Sequence, residues 1–416
     1  MKSKKWIAGL GISAILLGSV LTGCSNEKSS SEEKDKKVTI TLAGWGSSPE
    51  ETKLLDSVLK DFETAHPNIH IKHEVIQDQY MDVMKTRLIG GQGPDVFYLD
   101  ASEAPGLIDT GVLEPLNKYE DKKFDEGDFE KPLLKAFQKD GKTYGFPKGY
   151  STLALFYNKK MLKDAGVEVP KTWEELQAAS KKLTKGKEVY GFGQNPELAR
   201  TYFIGESNGG KVIKDNKANF SDPKVVSAYQ PYIDQHLKDK SAAQPSEVGA
   251  GWTGEMFGQG KAAMVLEGNW TIPYLQSTFK DLDYGTAEVP TINGKKGTMA
   301  YTVSYVMNAA SEKKKASWEL ISYLTGKVGM KKWTGTGFEL PSRKSVAKEL
   351  GYDKDELRGA LVAGAPYATV WANGTNLPVI FNNFNNQFVS AYLGKRSLDE
   401  ALKDGQKTAN KEIDSK

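Results

Sequence analysis

Apolar and polar residues alternate through Val38-Thr39-Ile40-Thr41-Leu42, the signature of a half-buried strand. Gly44-Trp45-Gly46 interrupts the alternation, and Ser48-Pro49-Glu50-Glu51 then supplies a capping box with proline at the first helical position. Leu54, Leu55, Val58, Leu59 and Phe62 recur at helical spacing behind it. The period returns to a strand from His70 to Ile76, to a helix from Tyr80 to Ile89, and to a nearly continuous apolar strand at Asp95–Leu99. Strand, helix, strand, helix, strand predicts a parallel α/β sheet with right-handed crossovers.

The pattern then starts again. Leu153–Tyr157 predicts a buried strand, and Thr172-Trp173-Glu174-Glu175 caps a helix running to Leu183. Ala262–Leu266 predicts a further strand, with Asn269 as the cap of the helix after it. Tyr301–Met307 predicts another strand, and Ser397-Leu398-Asp399-Glu400 caps a last helix. No fixed period recurs, so the pattern is not that of a solenoid. Ligands of open parallel sheets sit beyond the carboxyl ends of strands. That rule directs attention to Gly44–Ser48, Asp100–Ala104, Gly149–Ser151, Glu267–Trp270 and the surroundings of Tyr301.

The amino end reads differently. Lys2, Lys4 and Lys5 precede an uncharged stretch from Trp6 to Gly23, and Leu21-Thr22-Gly23-Cys24 ends it. A basic start, an apolar middle and small residues before a cut make a secretory signal. Leu-Thr-Gly-Cys resembles the bacterial lipobox, which implies that the chain is cut before Cys24, the only cysteine, and lipidated on it. Residues 25–37 hold no apolar side chain and predict a disordered tether. Loss of residues 1–23 removes three lysines and no acid from 56 basic and 53 acidic residues, leaving 53 of each. A balanced mature chain does not fit a nucleic-acid binder. About 380 residues remain, more than one hydrophobic core usually supports, so two domains are expected.

Further segments carry a resemblance when read in order: Ile69–Val75, Gly93-Pro94-Asp95-Val96, Gly141–Pro147, Tyr157-Asn158, Val169–Leu176, Gly260–Met264, Gly268-Asn269-Trp270 and Leu398–Leu402. Together they resemble the family 1 extracellular solute-binding proteins of ABC importers, the group of the maltodextrin and multiple-sugar receptors. The resemblance implies a two-lobed α/β clamshell of the periplasmic-binding-protein kind whose chain crosses a hinge three times, near Lys148–Thr152, Met299–Val303 and Lys344–Gly351. Residues 38–148 with 303–345 would form one lobe, and 149–302 with 346–416 the other. It further implies an oligosaccharide ligand between the lobes, no cofactor, a monomeric receptor, and a permease partner with a separate ATPase. The expected location is the outer face of a cell membrane, most simply that of a Gram-positive bacterium.

A neutral sugar offers C–H faces to aromatic planes and hydroxyls to carboxylates and amides. Trp45 and Trp270 fall at loop positions that face the cleft in this family. Tyr150, Tyr301, Trp333 and Trp371 are further aromatic candidates. Asp100, Ser102 and Glu103 follow one strand end and Glu267 another, and Asn195 and Asn382 complete the set. Glucan-binding receptors of the family carry aromatics in the Phe381–Phe384 segment, where this chain has Asn382 and Asn383. That departs from the maltodextrin pattern.

Rival chemistries leave weaker traces. Gly205-Glu206-Ser207-Asn208-Gly209 fits G-x-S-x-G, but a nucleophile elbow must run from strand into helix, and Gly209–Asp215 reads as a turn and a short strand. His66, His70 and His73 gather three of the four histidines, with Pro67 breaking any common helix; a surface cluster is expected rather than a metal site. No G-x-x-x-x-G-K-[ST] sequence occurs, so ATP would be handled by a partner. The remaining alternatives are a secreted glycan-cleaving lipoprotein, with Asp100 and Glu267 as its acids, and a receptor for a non-sugar solute.

Overall fold

A computed structural model describes residues 37–45, 49–77 and 79–415. The signal, Cys24, the tether up to Lys36 and Ser48 of the first capping box lie outside the described residues.

Two mixed sheets organise the chain. The first places strands in the order Thr369–Val370, Met299–Met307, Val96–Asp100, Val38–Gly44, Ile69–Val75, and Gly145–Thr152 also pairs with Met299–Met307. Val38–Gly44 runs parallel to both its neighbours, as the βαβαβ reading requires. Met299–Met307 runs antiparallel to Val96–Asp100 and to Gly145–Thr152. The second sheet orders Ala242–Ala243, Tyr190–Gly193, Ala262–Glu267, Ala154–Asn158, Tyr284–Ala287, and Ala154–Asn158 lies antiparallel to both its neighbours. The all-parallel expectation therefore fails at the returning strands. Because its strand runs antiparallel to Val96–Asp100, with Val303 paired to Asp100, Tyr301 near its amino end lies beyond the carboxyl end of that neighbour.

Each sheet carries its own apolar core. Ile40, Leu42, Phe62, Phe97, Leu99 and Val306 belong to the first, and Leu155, Phe192, Tyr229, Phe384 and Leu402 to the second. A third cluster joins Leu133, Tyr150 and Leu340 to Ala154, Phe156 and Leu361, so apolar packing continues where the sheets meet. The capping boxes at Thr172 and Ser397 both form, each side chain accepting from the backbone N–H three residues on.

The chain passes between the sheets at Leu153, one residue after the strand ending at Thr152 and one before that starting at Ala154. It returns between Ala287 and Met299. These two passages are tied together, since Leu153 N–H donates to the Met299 carbonyl at 3.2 Å and Thr298 Oγ1 to the Leu153 carbonyl at 2.8 Å. After the expected third crossing, Lys344–Gly351, the chain touches both sheets: Thr286 of the second sheet donates to the Leu357 carbonyl at 2.9 Å, and Leu361 clusters with Ala154 and Phe156. Val346 is buried in the first core, which keeps the helix Lys344–Glu349 with the first lobe. Thr369–Val370 still pairs with the first sheet, and Trp371 is the first residue after it to pack on the second core. Among the described residues no helix is long and apolar enough to cross a membrane.

Candidate functional site

A cleft of about 880 Å³ opens between the two sheets. One wall belongs to the helix Thr271–Thr278 and the residue before it. Trp270, Pro273, Tyr274 and Ser277 all line the cleft, and their spacing of three, four and seven puts them on one helical face. Tyr301 stands beside them, its ring centre 5.8 Å from that of Trp270 and nearly edge-on. The facing wall presents Glu51, Asp100, Glu339 and Phe338, and the strands of the hinge supply Gly149, Tyr150, Ser151, Thr302 and Val303 as the floor. Among the described residues lining the cleft, three are acidic and none is lysine or arginine.

Behind the acidic wall lies Lys148, a lysine only 2 % exposed. Its Nζ is 2.7 Å from Glu339 Oε1 and 3.9 Å from Glu51 Oε1, and 4.1 Å above the Trp333 ring. Trp333 Nε1 donates to the other Glu339 oxygen at 2.9 Å. A lysine can be buried this deeply when carboxylates compensate its charge. Gly149 makes room for the arrangement, because a Cβ there would fall 2.3 Å from Glu339 Oε2. Asp100 holds a separate place on this wall. Burial raises its pKa, opposed by the Ser102 hydroxyl and N–H, which donate to Oδ1 at 2.5 and 2.8 Å.

Behind the aromatic wall lies Glu267, fully buried. It accepts from Trp270 Nε1 at 2.9 Å, from Arg200 Nη1 at 3.3 Å and from the Thr253 hydroxyl. The Arg200 guanidinium lies 4.9 Å from the Trp270 ring centre and 5.7 Å from that of Tyr301. Burial alone would lower the Arg200 pKa; the charge of Glu267, Tyr301 and Glu197 reverses this and holds it above the ordinary arginine value. Gly268 lets the indole fold back over the chain, since a Cβ there would meet the Trp270 ring at 2.3 Å.

The residues singled out in the sequence divide accordingly. Asp100, Tyr150, Trp270 and Tyr301 meet at the cleft. Glu267 supports Trp270 from beneath, and so cannot act with Asp100 as a glycosidase pair across a sugar. Trp333 is buried, with Glu339 between it and the cleft side of the network. Trp45 is not among the lining residues; it packs edge-on against Tyr80 and Tyr98 at 5.0 and 5.2 Å. Ser102 serves Asp100, Glu103 pairs with Lys85 at 2.9 Å, and Asn195 donates to Glu197 at 3.2 Å. Trp371 packs on Tyr202 and Phe381, and Asn382 is exposed on the helix Leu377–Tyr392. Asn269 does not cap its helix: its side chain donates to the Gly337 carbonyl at 2.7 Å, binding the Trp270 loop to the loop that carries Glu339.

The decoys resolve on local structure. Ser207 follows a helix, Leu198–Gly205, and precedes the two-stranded turn at Ile213–Ala218, the reverse of a nucleophile elbow. His66, His70 and His73 each face a carboxylate, Glu319, Glu63 and Asp56 respectively.

The model of the bacterial extracellular solute-binding protein family matches residues 57–360. The chain belongs to this family. It is a family of solute-binding proteins and not of enzymes, which removes the glycan-cleaving alternative. This solute-binding protein is 28% identical over 430 residues to the diacetylchitobiose binding protein DasA of Streptomyces coelicolor, covering 96% of each chain. It is 24% identical over 444 residues to the maltodextrin-binding protein MdxE of Bacillus subtilis, covering 99% of this chain and 98% of the other. Among solved structures, the ABC substrate-binding protein Lmo0181 of Listeria monocytogenes, in complex with cycloalternan, superposes with a TM-score of 0.81 at 26% identity, covering 91% and 99% of the two chains. The two-lobed architecture is thus that of the sugar-binding proteins it resembles.

Proposed function

We propose that this solute-binding protein is the receptor of an ABC importer, anchored outside the cytoplasm by lipid on Cys24, that captures an oligosaccharide of neutral character and delivers it to a permease driven by a separate ATPase. The observation that carries the reading is the division of labour in the cleft: Trp270, Tyr274 and Tyr301 on one side, carboxylates on the other. Aromatic planes suit the C–H faces of pyranose rings, and carboxylates accept hydroxyls in charge-assisted bonds. A volume of about 880 Å³ accommodates several sugar units rather than one. The names of DasA, MdxE and the cycloalternan complex, all oligosaccharide binders, support the same class. Closure of the lobes on the ligand would follow from tighter binding to the closed state.

A melting-shift screen over α- and β-linked gluco-, galacto-, manno- and N-acetylglucosamine oligosaccharides tests the reading. An unaltered sugar at 100-fold excess over its Kd should stabilise the protein by about 2.7 kcal/mol. Stabilisation by amino acids or peptides, with none by any sugar, would contradict it.

A further inference from the structure

Glu267 and Arg200 lie outside the lining of the cleft, yet both reach the aromatic wall. The Glu267 carboxylate receives the Trp270 indole N–H at 2.9 Å and Arg200 Nη1 at 3.3 Å. Arg200 in turn lies over the Trp270 ring and close to the Tyr301 ring. The Tyr301 hydroxyl donates to the carbonyl of Ala199, the residue before Arg200, at 2.7 Å. An indole has two free torsions. Here its N–H is fixed by one partner and a face is covered by the other, so the plane shown to the cleft is set from behind.

Stability alone gives little reason for this arrangement. A buried ion pair rarely stabilises more than apolar groups of the same volume would. Directly beneath a ring that lines the cleft, it does what apolar groups cannot, because it fixes orientation through directed bonds. Resting on the sugar-receptor reading above, we propose that Glu267 and Arg200 are positioning residues that determine specificity: they hold Trp270 and Tyr301 at one mutual angle, and that angle selects which sugar faces are accepted. An all-equatorial pyranose offers a flat C–H surface to such a wall, whereas an axial hydroxyl interrupts it. A fixed wall discriminates between the two; a loose one adapts to both.

The test is a double-mutant cycle by titration calorimetry on the full chain, using the best sugar of the screen and its C4 epimer. Glu267→Gln keeps the shape of the side chain and removes its charge. It should weaken the preferred sugar roughly ten-fold and narrow the preference over the epimer, as expected for groups coupled through direct contact. In a Trp270→Phe background, which lacks the indole N–H, the same change should cost no more than about three-fold. Arg200→Lys, which keeps the charge and loses the planar stack, should narrow the preference likewise and reports on the wall should Glu267→Gln fail to fold. Equal losses from Glu267→Gln in both backgrounds would mean that Glu267 meets the sugar itself, and unchanged affinity and preference in both Glu267→Gln and Arg200→Lys would mean that nothing is positioned; either overturns the inference. Absence of any sugar binding by the wild type would overturn the receptor reading itself, and with it the inference.

Discussion

The two walls of the cleft use the same three components in opposite order. Each has a cation over a tryptophan ring and a glutamate that takes both the cation and the indole N–H: Lys148, Trp333 and Glu339 on one side, Arg200, Trp270 and Glu267 on the other. On the first wall the cation and the tryptophan are buried, and the Glu339 side chain is 25% exposed at the cleft. On the second the glutamate is buried and the tryptophan lines the cleft. One network therefore presents a hydrogen-bond acceptor and its mirror presents an apolar plane, which are the two surfaces a sugar requires.

The comparison makes its strongest demand on stability. Arg200→Ala leaves the fully buried Glu267 carboxylate without its cation, and chemical denaturation should show a loss of about 3–5 kcal/mol. Lys148→Ala should cost less, about 1–3 kcal/mol, because Glu339 and Glu51 line the cleft and Glu339 keeps the Trp333 donor. An equal cost on both sides would break the contrast between a buried cation and a buried acid.

Affinity should divide the walls next. Glu339→Gln acts on the sugar directly, so its effect, on the order of ten-fold, should persist in a Trp333→Phe background, whereas that of Glu267→Gln should fade without the Trp270 indole. Matching behaviour in the two cycles would erase the distinction between presenting and supporting glutamates.

A smaller difference concerns pH. Glu120, in the first lobe, is pushed up to about 7 by burial and by the charge of Glu126. Its folded pKa lies above the ordinary 4.5, so the folded chain holds the proton more tightly and stability falls as pH rises from about 4.5 through 7. Glu120→Gln should flatten that part of the melting profile, and hydrogen exchange should place the pH-sensitive segment in the first lobe. An unchanged profile in the variant would place the titrating group elsewhere.

Legibility in the sequence follows the range of the interactions. Strands, helices and the capping boxes at Thr172 and Ser397 were readable because each is decided within a few residues. Trp270 could be found from its loop, and the spacing of Pro273, Tyr274 and Ser277 behind it was a signal available but unused. Glu51, Lys148 and Glu339 had no such signal, since Lys148 meets Glu51 and Glu339 from 97 and 191 positions away in the sequence. Glu267 was placed in the cleft because it ends a strand. That strand is buried on both faces, so no alternation reveals which side a given residue takes. Arg200 was hidden within a mostly buried helix, Leu198–Gly205.

The central claim is that Trp270 is the platform on which a sugar lies. Titration calorimetry of Trp270→Ala against the sugar chosen by the melting screen tests it most directly, with Trp45→Ala as the comparison, since Trp45 packs on Tyr80 and Tyr98. Truncating a central aromatic anchor commonly costs 2 kcal/mol or more, so affinity should fall roughly 30-fold or more for Trp270→Ala. Trp45→Ala should mainly lower the melting temperature. Wild-type affinity in Trp270→Ala, with the protein folded, would contradict the account.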